Sequence, residues 1–379
     1  MSNKPKVSVI GVGRLGLSFA LLLDSKGYDV VGCDVNEKYI NSLKDKTFNS
    51  KEPEVNELLK NSSMEFTSDI NEALNHAGII FVFVQTPSLE SGKYNHKYVD
   101  QVVEKINSKK AAGKTLVIGC TVMPRYCESV SNKLKELNTA VIYNPEFIAQ
   151  GNIMYGLKNA DIVLIGGDYI PAPVFQIYVD IMSKNPNFKM LTSTGAEIAK
   201  ISINCFIAMK IAFANLIGEI ITNSWEEENI NIIMDAIGGD SRIGNKYLSY
   251  GFPPGGPCIP RDARALNSHA FAAGVDTKFF HSIDAENKRH SEYLERYYTV
   301  KNPDKNVPFI FSYLSYKEGV DIITDSYQLK LCIDLLRAGY NVDVPIAVKE
   351  MDTPEEFKDY VYNEKVTFGK NPENGYKIN

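Results

Sequence analysis

Cys258 stands in the loop Gly255-Gly256-Pro257-Cys258-Ile259-Pro260-Arg261-Asp262, a thiol among glycines and prolines with a cation and a carboxylate close behind. A thiolate can capture an aldehyde as a thiohemiacetal, which can lose a hydride to become a thioester. Lys200 and Asn204 are four residues apart on an otherwise apolar helical pattern and so share a face. An ammonium there would favour the thiolate and stabilise a developing oxyanion, with Asn204 facing the same oxygen. Glu146, in Asn144-Pro145-Glu146-Phe147 after a strand, is a candidate general base for water attacking a thioester. Thr121, in Gly119-Cys120-Thr121, could position that water, and Asp262 could orient water or Lys200. Plainer readings exist: Lys200 could pair with Glu197 one turn earlier, Glu146 could be a helix cap, and Thr121 an ordinary strand-end residue. Cys33, Cys120, Cys127, Cys205 and Cys332 fall in strand or helix patterns and read as small core residues. The five histidines lie in none of these motifs, so neither a histidine base nor a metal site is expected.

A hydride acceptor is suggested at the other end of the chain. Ile10-Gly11-Val12-Gly13-Arg14-Leu15-Gly16 puts G-x-G-x-x-G between a strand pattern and a helical one. Gly11 suits the tight turn, Gly13 lets the backbone approach a pyrophosphate, and Gly16 lets helix and strand pack closely. The pyrophosphate would sit on the unpaired N–H groups of the helix start. Asp34 ends the second strand, where a carboxylate can bind an adenosine ribose; Val35-Asn36-Glu37 after it lacks an arginine for a 2′-phosphate. NAD is therefore expected rather than NADP.

The elements that must carry these residues alternate. Apolar runs at 7–12, 28–35, 78–85 and 114–120 read as buried parallel strands, separated by helical patterns, and two further strands are expected at 139–145 and 161–167. A long helix is expected from about Thr194 to Ser224, with more helix at 229–237 and 262–294. The polar stretch 299–308 is a linker candidate, followed by one more βαβ unit from FIFSYLSY, a helix at 326–338 and YNVDVPI. Lys and Arg number 41 against 46 Asp and Glu, a net charge of −5 with no basic run, which argues against nucleic acid or an anionic membrane as partner. The apolar window 196–222 carries Glu197, Lys200, Asn204, Lys210 and Glu219, too polar for a membrane span. The N-terminus enters a strand pattern without a signal-peptide core, and the scattered cysteines suit a reducing compartment, so a cytoplasmic location is expected. The window 196–222, continuing into 229–237, offers more apolar surface than a short partner can cover, which predicts pairing of two chains as at least a dimer.

Taken in order, the GxGxxGL entry, FVQTPS (83–88), CTV (120–122), NPEF (144–147), AEIAKISIN (196–204), RIG (242–244), GGPCIPRD (255–262) and a weaker LSYKEGVD (314–321) resemble the UDP-glucose/GDP-mannose dehydrogenase family. The resemblance covers nearly the whole chain, and the cysteine loop is its most specific element. It implies an α/β protein with an N-terminal Rossmann-like NAD domain (1–193), a central long helix and helical dimerisation region with the cysteine loop (194–298), and a short C-terminal Rossmann-like α/β domain (299–379). It implies oxidation of a nucleotide sugar's C6 alcohol to the uronic acid, using two NAD, of the kind that feeds polysaccharide biosynthesis. UDP-glucose is the default substrate; UDP-N-acetylhexosamine, GDP-mannose or another nucleotide sugar are alternatives, as is a non-catalytic nucleotide-sugar-binding relative. A two-electron 3-hydroxyacid dehydrogenase would need Lys200 and Asn204 but not Cys258. Catalytic roles are implied for Cys258, Lys200, Asn204, Asp262, Glu146 and Thr121, and cofactor contacts for Gly11, Gly13, Arg14, Leu15, Gly16, Asp34, Thr86, Pro87 and Thr121. Substrate contacts are implied for Phe147, Lys200, Asn204, Tyr247, Phe252, Gly255 and Lys317, and for Arg242 toward the other subunit's substrate.

Four positions depart from the family pattern. Gln150 replaces a second glutamate, and Arg125-Tyr126 replaces the usual Gly-Thr. Ile322-Ile323-Thr324-Asp325-Ser326 puts Thr324 where relatives carry a substrate-clamping arginine. The region after the linker is short for a complete second nucleotide-binding domain.

Overall fold

The computed structural model describes residues 4–224 and 229–378; the reading of the chain's first residues falls partly on 1–3, outside them. Contacts group the chain into two compact units, Met1–Lys200 and Ile201–Asn379.

In the first unit, β1 (Val7–Ile10), β2 (Val30–Cys33), β3 (Glu65–Thr67), β4 (Ile79–Val82), β5 (Thr115–Ile118), β6 (Ala140–Tyr143), β7 (Val163–Gly166) and β8 (Phe188–Leu191) form one sheet. Its order is β3-β2-β1-β4-β5-β6-β7-β8. All neighbouring strands are parallel except β6 and β7, which run antiparallel. Both faces are covered. In β4, Ile79 and Phe81 join one apolar core while Ile80 and Val82 join the other, as the two-residue side-chain period requires. The strand order reverses between β1 and β4, and at such a point a doubly wound sheet opens a crevice beyond its strand ends.

The six expected strands of this sheet are present, each trimmed to four residues. β3 and β8 were not foreseen. β3 has only three residues, and three of the four in β8 are exposed, so neither shows the continuous apolar run of a buried parallel strand.

The helix Ser193–Asn223 is 31 residues long and, by length and composition alone, apolar enough to cross a membrane. Three of its four charged residues, Glu197, Lys200 and Glu219, are nevertheless buried against partners within the protein, and the fourth, Lys210, is half-buried. The pattern at 262–294 forms two helices, Ile259–Ala272 and Phe279–Lys301, so the polar stretch at 299–308 begins inside the second. Leu294 and Tyr298 of that helix share a core with Phe309, Leu335 and Val342. The single βαβ unit expected here is a four-stranded parallel sheet of β9 (Phe309–Phe311), β10 (Val342–Val344), β11 (Val366–Phe368) and β12 (Tyr376–Ile378), in the order β11-β10-β9-β12.

Candidate active site

The glycine turn joins β1 to the helix Arg14–Ser25. A Cβ on Gly16 would come within 2.0 Å of the Gly11 carbonyl oxygen, so only glycine lets this helix pack on the strand end. Gly13, the helix N-cap, faces open space, as a backbone approached by a pyrophosphate must. Arg14 is exposed and Leu15 packs against the first core. Tyr39 donates its hydroxyl to the Val12 carbonyl and so braces the turn, a role no motif signalled. Asp34 is half-buried just past β2, its Oδ1 accepting the Asn36 N–H at 3.1 Å, while Val35 beside it is fully open. Thr86, past β4, donates to the Thr121 carbonyl at 2.8 Å and ties two neighbouring strand ends together; Pro87 is exposed. These groups fit a dinucleotide: a bare backbone at a helix start, and a carboxylate at the end of the next strand.

Beyond β6, Lys200 Nζ donates to the Glu146 carbonyl at 2.8 Å and lies 4.3 Å from the centre of the Phe147 ring. Glu146, Phe147 and Lys200 are therefore one cluster. Burial pushes the Glu146 carboxyl up to about 7, against the opposing pull of the Tyr178 hydroxyl, at 2.7 Å, and the Lys200 charge. Lys200 does not hold Glu197 in the alternative pairing. The Glu197 carboxylate instead accepts the N–H groups of Arg125, at 2.6 Å, and Cys127, at 2.8 Å, capping the helix Tyr126–Leu134. Arg125, which stands where relatives have glycine, takes φ = 74°, the left-handed conformation that glycine adopts freely. The Gln150 Oε1 is buried without a hydrogen-bond partner among the described residues, next to Gly151, whose N–H is held by buried Glu52.

In the second unit, Cys258 is exposed and heads the helix Ile259–Ala272 as its N-cap. The unpaired N–H groups at such an end favour a negative charge. Asp262, in the first turn of that helix, is almost fully buried and accepts the Asn204 amide at 2.6 Å. The other five cysteines are buried, and burial pushes the Cys33 and Cys205 thiols up to about 12.

The cysteine loop is held from two sides. Gly256, at φ = 84°, lies so close to the Tyr316 ring that a Cβ would meet it at 2.6 Å, and its N–H donates to the Thr324 carbonyl. Thr324 therefore serves the loop through its backbone, whatever its side chain. Gly255 packs on the Asp325 carbonyl. Upstream, Gly251 donates its N–H to Asn215 and accepts from His290 Nε2 at 2.7 Å. His290 Nδ1 meets the Glu219 carboxylate, which also takes both Arg289 nitrogens at 2.8 Å. His290 thus bridges the Glu219 carboxylate and the Gly251 carbonyl, one ring nitrogen to each. No motif marked this histidine. Phe252 packs against the core of the small sheet. Arg242 is exposed and paired with Asp240, Tyr247 is exposed, and Lys317 is exposed beside Tyr316.

The comparisons agree with this geometry. Residues 5–178 match the NAD binding domain, and residues 194–289 the central domain, of the UDP-glucose/GDP-mannose dehydrogenase family. A UDP-glucose 6-dehydrogenase of Rickettsia felis is 28% identical over 374 residues, covering 95% of this chain and 83% of the relative. A UDP-glucose dehydrogenase structure from Pyrobaculum islandicum superposes with a TM-score of 0.84 at 24% identity, over 98% of this chain and 87% of the other. A UDP-D-ManNAc dehydrogenase from Pyrococcus horikoshii gives 0.78 at 22%, over 90% and 83%. With an NAD-type glycine turn, a cysteine loop and both family domains in order, the chain belongs to the UDP-glucose/GDP-mannose dehydrogenases, a family of NAD-dependent nucleotide-sugar dehydrogenases.

Proposed function

We propose that this chain oxidises the C6 alcohol of a nucleotide sugar to the acid through a Cys258 thioester, with UDP-glucose as the first substrate to try. NAD supplies the hydride acceptor, twice per sugar. As the first hydride departs, the alcohol proton passes to a water that Asp262 orients, with Lys200 and Asn204 holding the developing oxyanion. The Cys258 thiolate adds to the aldehyde, and loss of a second hydride from the thiohemiacetal leaves a thioester. Glu146 takes a proton from water, with Thr121 and Asp262 orienting it, and hydrolysis returns the thiolate and releases the acid. Water supplies the oxygen, and two NAD carry away the four electrons.

The observation that carries this reading is Cys258: exposed at a helix N-terminus, in a glycine loop clamped on both sides, while every other cysteine is buried. Gly11, Gly13, Arg14, Leu15, Gly16, Asp34, Thr86, Pro87 and Thr121 are proposed to hold the cofactor. Phe147, Tyr247, Phe252, Gly255 and Lys317 are proposed to hold the nucleotide sugar, and Arg242 to reach the partner's. We place the enzyme in the cytoplasm as a homodimer, with its functional domains at 1–193, 194–298 and 299–379. The test is NADH production from a panel of UDP-glucose, UDP-N-acetylhexosamines and GDP-mannose, with NADH counted against sugar consumed. Two NADH per sugar supports the thioester route; one would contradict it. Cys258→Ser should form no acid, while Cys258→Ala should retain at most slow, reversible oxidation to the aldehyde. Acid formation by Cys258→Ala at the wild-type rate would overturn the assignment.

A further inference from the structure

Three oxygens in the first unit share too few hydrogens. The Tyr178 hydroxyl, on the buried face of the helix Ala172–Ile181, lies within hydrogen-bond reach of both Glu146 Oε1 and Asn144 Oδ1. Tyr178 and Asn144 are each at most 2% exposed. The Asn144 amide cannot turn its nitrogen toward Tyr178, because Nδ2 donates to the Leu164 carbonyl at 2.9 Å. Oδ1 is therefore an acceptor facing the phenol. Burial and the adjacent carboxylate push the Tyr178 phenol well above its ordinary value, so it keeps its hydrogen throughout.

If Glu146 is ionised, two acceptors compete for that one hydrogen, and one close oxygen–oxygen contact has none. If Glu146 is protonated, it donates to Tyr178, Tyr178 donates to Asn144, and each contact is a hydrogen bond. The other charged group facing this carboxyl is Lys200, from the long helix, which favours ionisation.

We infer that Tyr178 and Asn144 are positioning residues for Glu146: Tyr178 is a two-position hydroxyl that gives its hydrogen to Glu146 when the carboxylate is ionised and to Asn144 once Glu146 has taken a proton. This rests on Glu146 being the base of the hydrolytic step. When water gives its proton to Glu146, the phenol hydrogen moves to Asn144 Oδ1 and the array becomes fully bonded, which favours proton abstraction. Asn144 thus biases the protonation of a carboxyl that it reaches only through Tyr178.

The test is a double-mutant cycle read on the acid limb of thioester hydrolysis. Asn144→Leu removes the competing acceptor, leaves the phenol hydrogen to the ionised carboxylate, and should move the limb about one pH unit lower. In a Tyr178→Phe background the same substitution should move it no further. An unmoved limb in Asn144→Leu, or an equal shift with Phe at 178, would overturn the inference. Should Asn144→Leu not fold, Asn144→Ala removes the same acceptor without supplying another. Difference infrared spectroscopy supplies a readout independent of turnover: the protonated-carboxyl band lost in Glu146→Gln should titrate lower in the Asn144 variants. If Glu146→Gln turns over normally, the assignment of the base fails, while the infrared titration still decides whether Asn144 and Tyr178 govern this carboxyl.

Discussion

Glu146 sits with its carboxyl at about 7, raised by burial above the ordinary 4.5, and the direction of that shift sets a stability consequence as well as a catalytic one. A raised carboxyl binds its proton more tightly folded than unfolded. The stability it contributes is fully present below about pH 4.5 and is lost as pH climbs through about 7. Glu146→Gln cannot ionise, so its melting temperature relative to wild type should rise between about pH 5 and about pH 8.5. A constant gap across that range would contradict the assignment. The same variant should release NADH in a burst stoichiometric with active sites and then stall, with a sugar adduct on the Cys258 peptide by mass spectrometry. Gln150→Glu, which restores the family's second carboxylate, would bury a charge where the present amide oxygen has no donor. It should cost about 1–3 kcal/mol in denaturant melts and raise hydrolysis only a few-fold. The two turn glycines separate fold from function. Gly13→Ala should fold with near-wild-type stability and lose at least about tenfold in NAD affinity by calorimetry, whereas Gly16→Ala should lose stability itself. Cys258, Lys200 and Glu146 could be picked out of the sequence as candidates because their types break an apolar or glycine-rich pattern. Tyr178 could not, since a buried aromatic on a core helix looks the same whether it only packs or also orients its hydroxyl toward a carboxyl.

The elements that hold the site were partly legible for a related reason. Parallel strands covered on both faces show as apolar runs, and the turn following β1 carries its own glycine signature. The brace around the cysteine loop has no such local signature. Gly251 is held by Asn215 and, through His290, by Glu219, so that two residues of the long helix and one of the helix Phe279–Lys301 meet a loop remote from both in sequence. Burial works against the Glu219 carboxylate, but Arg289 and His290 hold it below the usual carboxylate range. Glu219→Ala would strip the Arg289 guanidinium and the buried His290 ring of their shared carboxylate, at a cost of about 3–5 kcal/mol in chemical denaturation. Because His290 also carries the Gly251 carbonyl, kcat should fall in the surviving folded protein more than NAD affinity does. Equal losses in both would argue that the brace serves the fold alone.

At the scale of the molecule, the long helix leaves Phe206, Phe213, Leu216 and Ile220 exposed at near-helical spacing, an apolar stripe that suits a second copy of the chain. If the proposed homodimer pairs through this stripe, Phe206→Glu with Phe213→Glu should yield a monomer by light scattering with helical content retained; a dimer that survives both would place the pairing elsewhere, and a monomeric wild type would overturn the dimer itself. The sequence predicted an excess of apolar surface on this helix, though not which residues stay exposed, because helical composition is local while packing is not. It predicted less of the four-stranded sheet after residue 308, whose strands are three residues each and separated by long connections. The hydrogen bond from Gly256 to the Thr324 carbonyl, and the Tyr316 ring packed on Gly256, also order events during synthesis of the chain. Thr324 leaves the ribosome 68 positions after Gly256, about 3–14 s later at ~5–20 residues per second. Through that interval the thiol of Cys258 has emerged while Tyr316 and Thr324, which pack and bond Gly256 of its loop, have not. Nascent chains halted before Tyr316 should therefore carry a Cys258 that alkylates readily yet never forms a sugar thioester, so that the nucleophile becomes an enzyme group only when the C-terminal segment arrives.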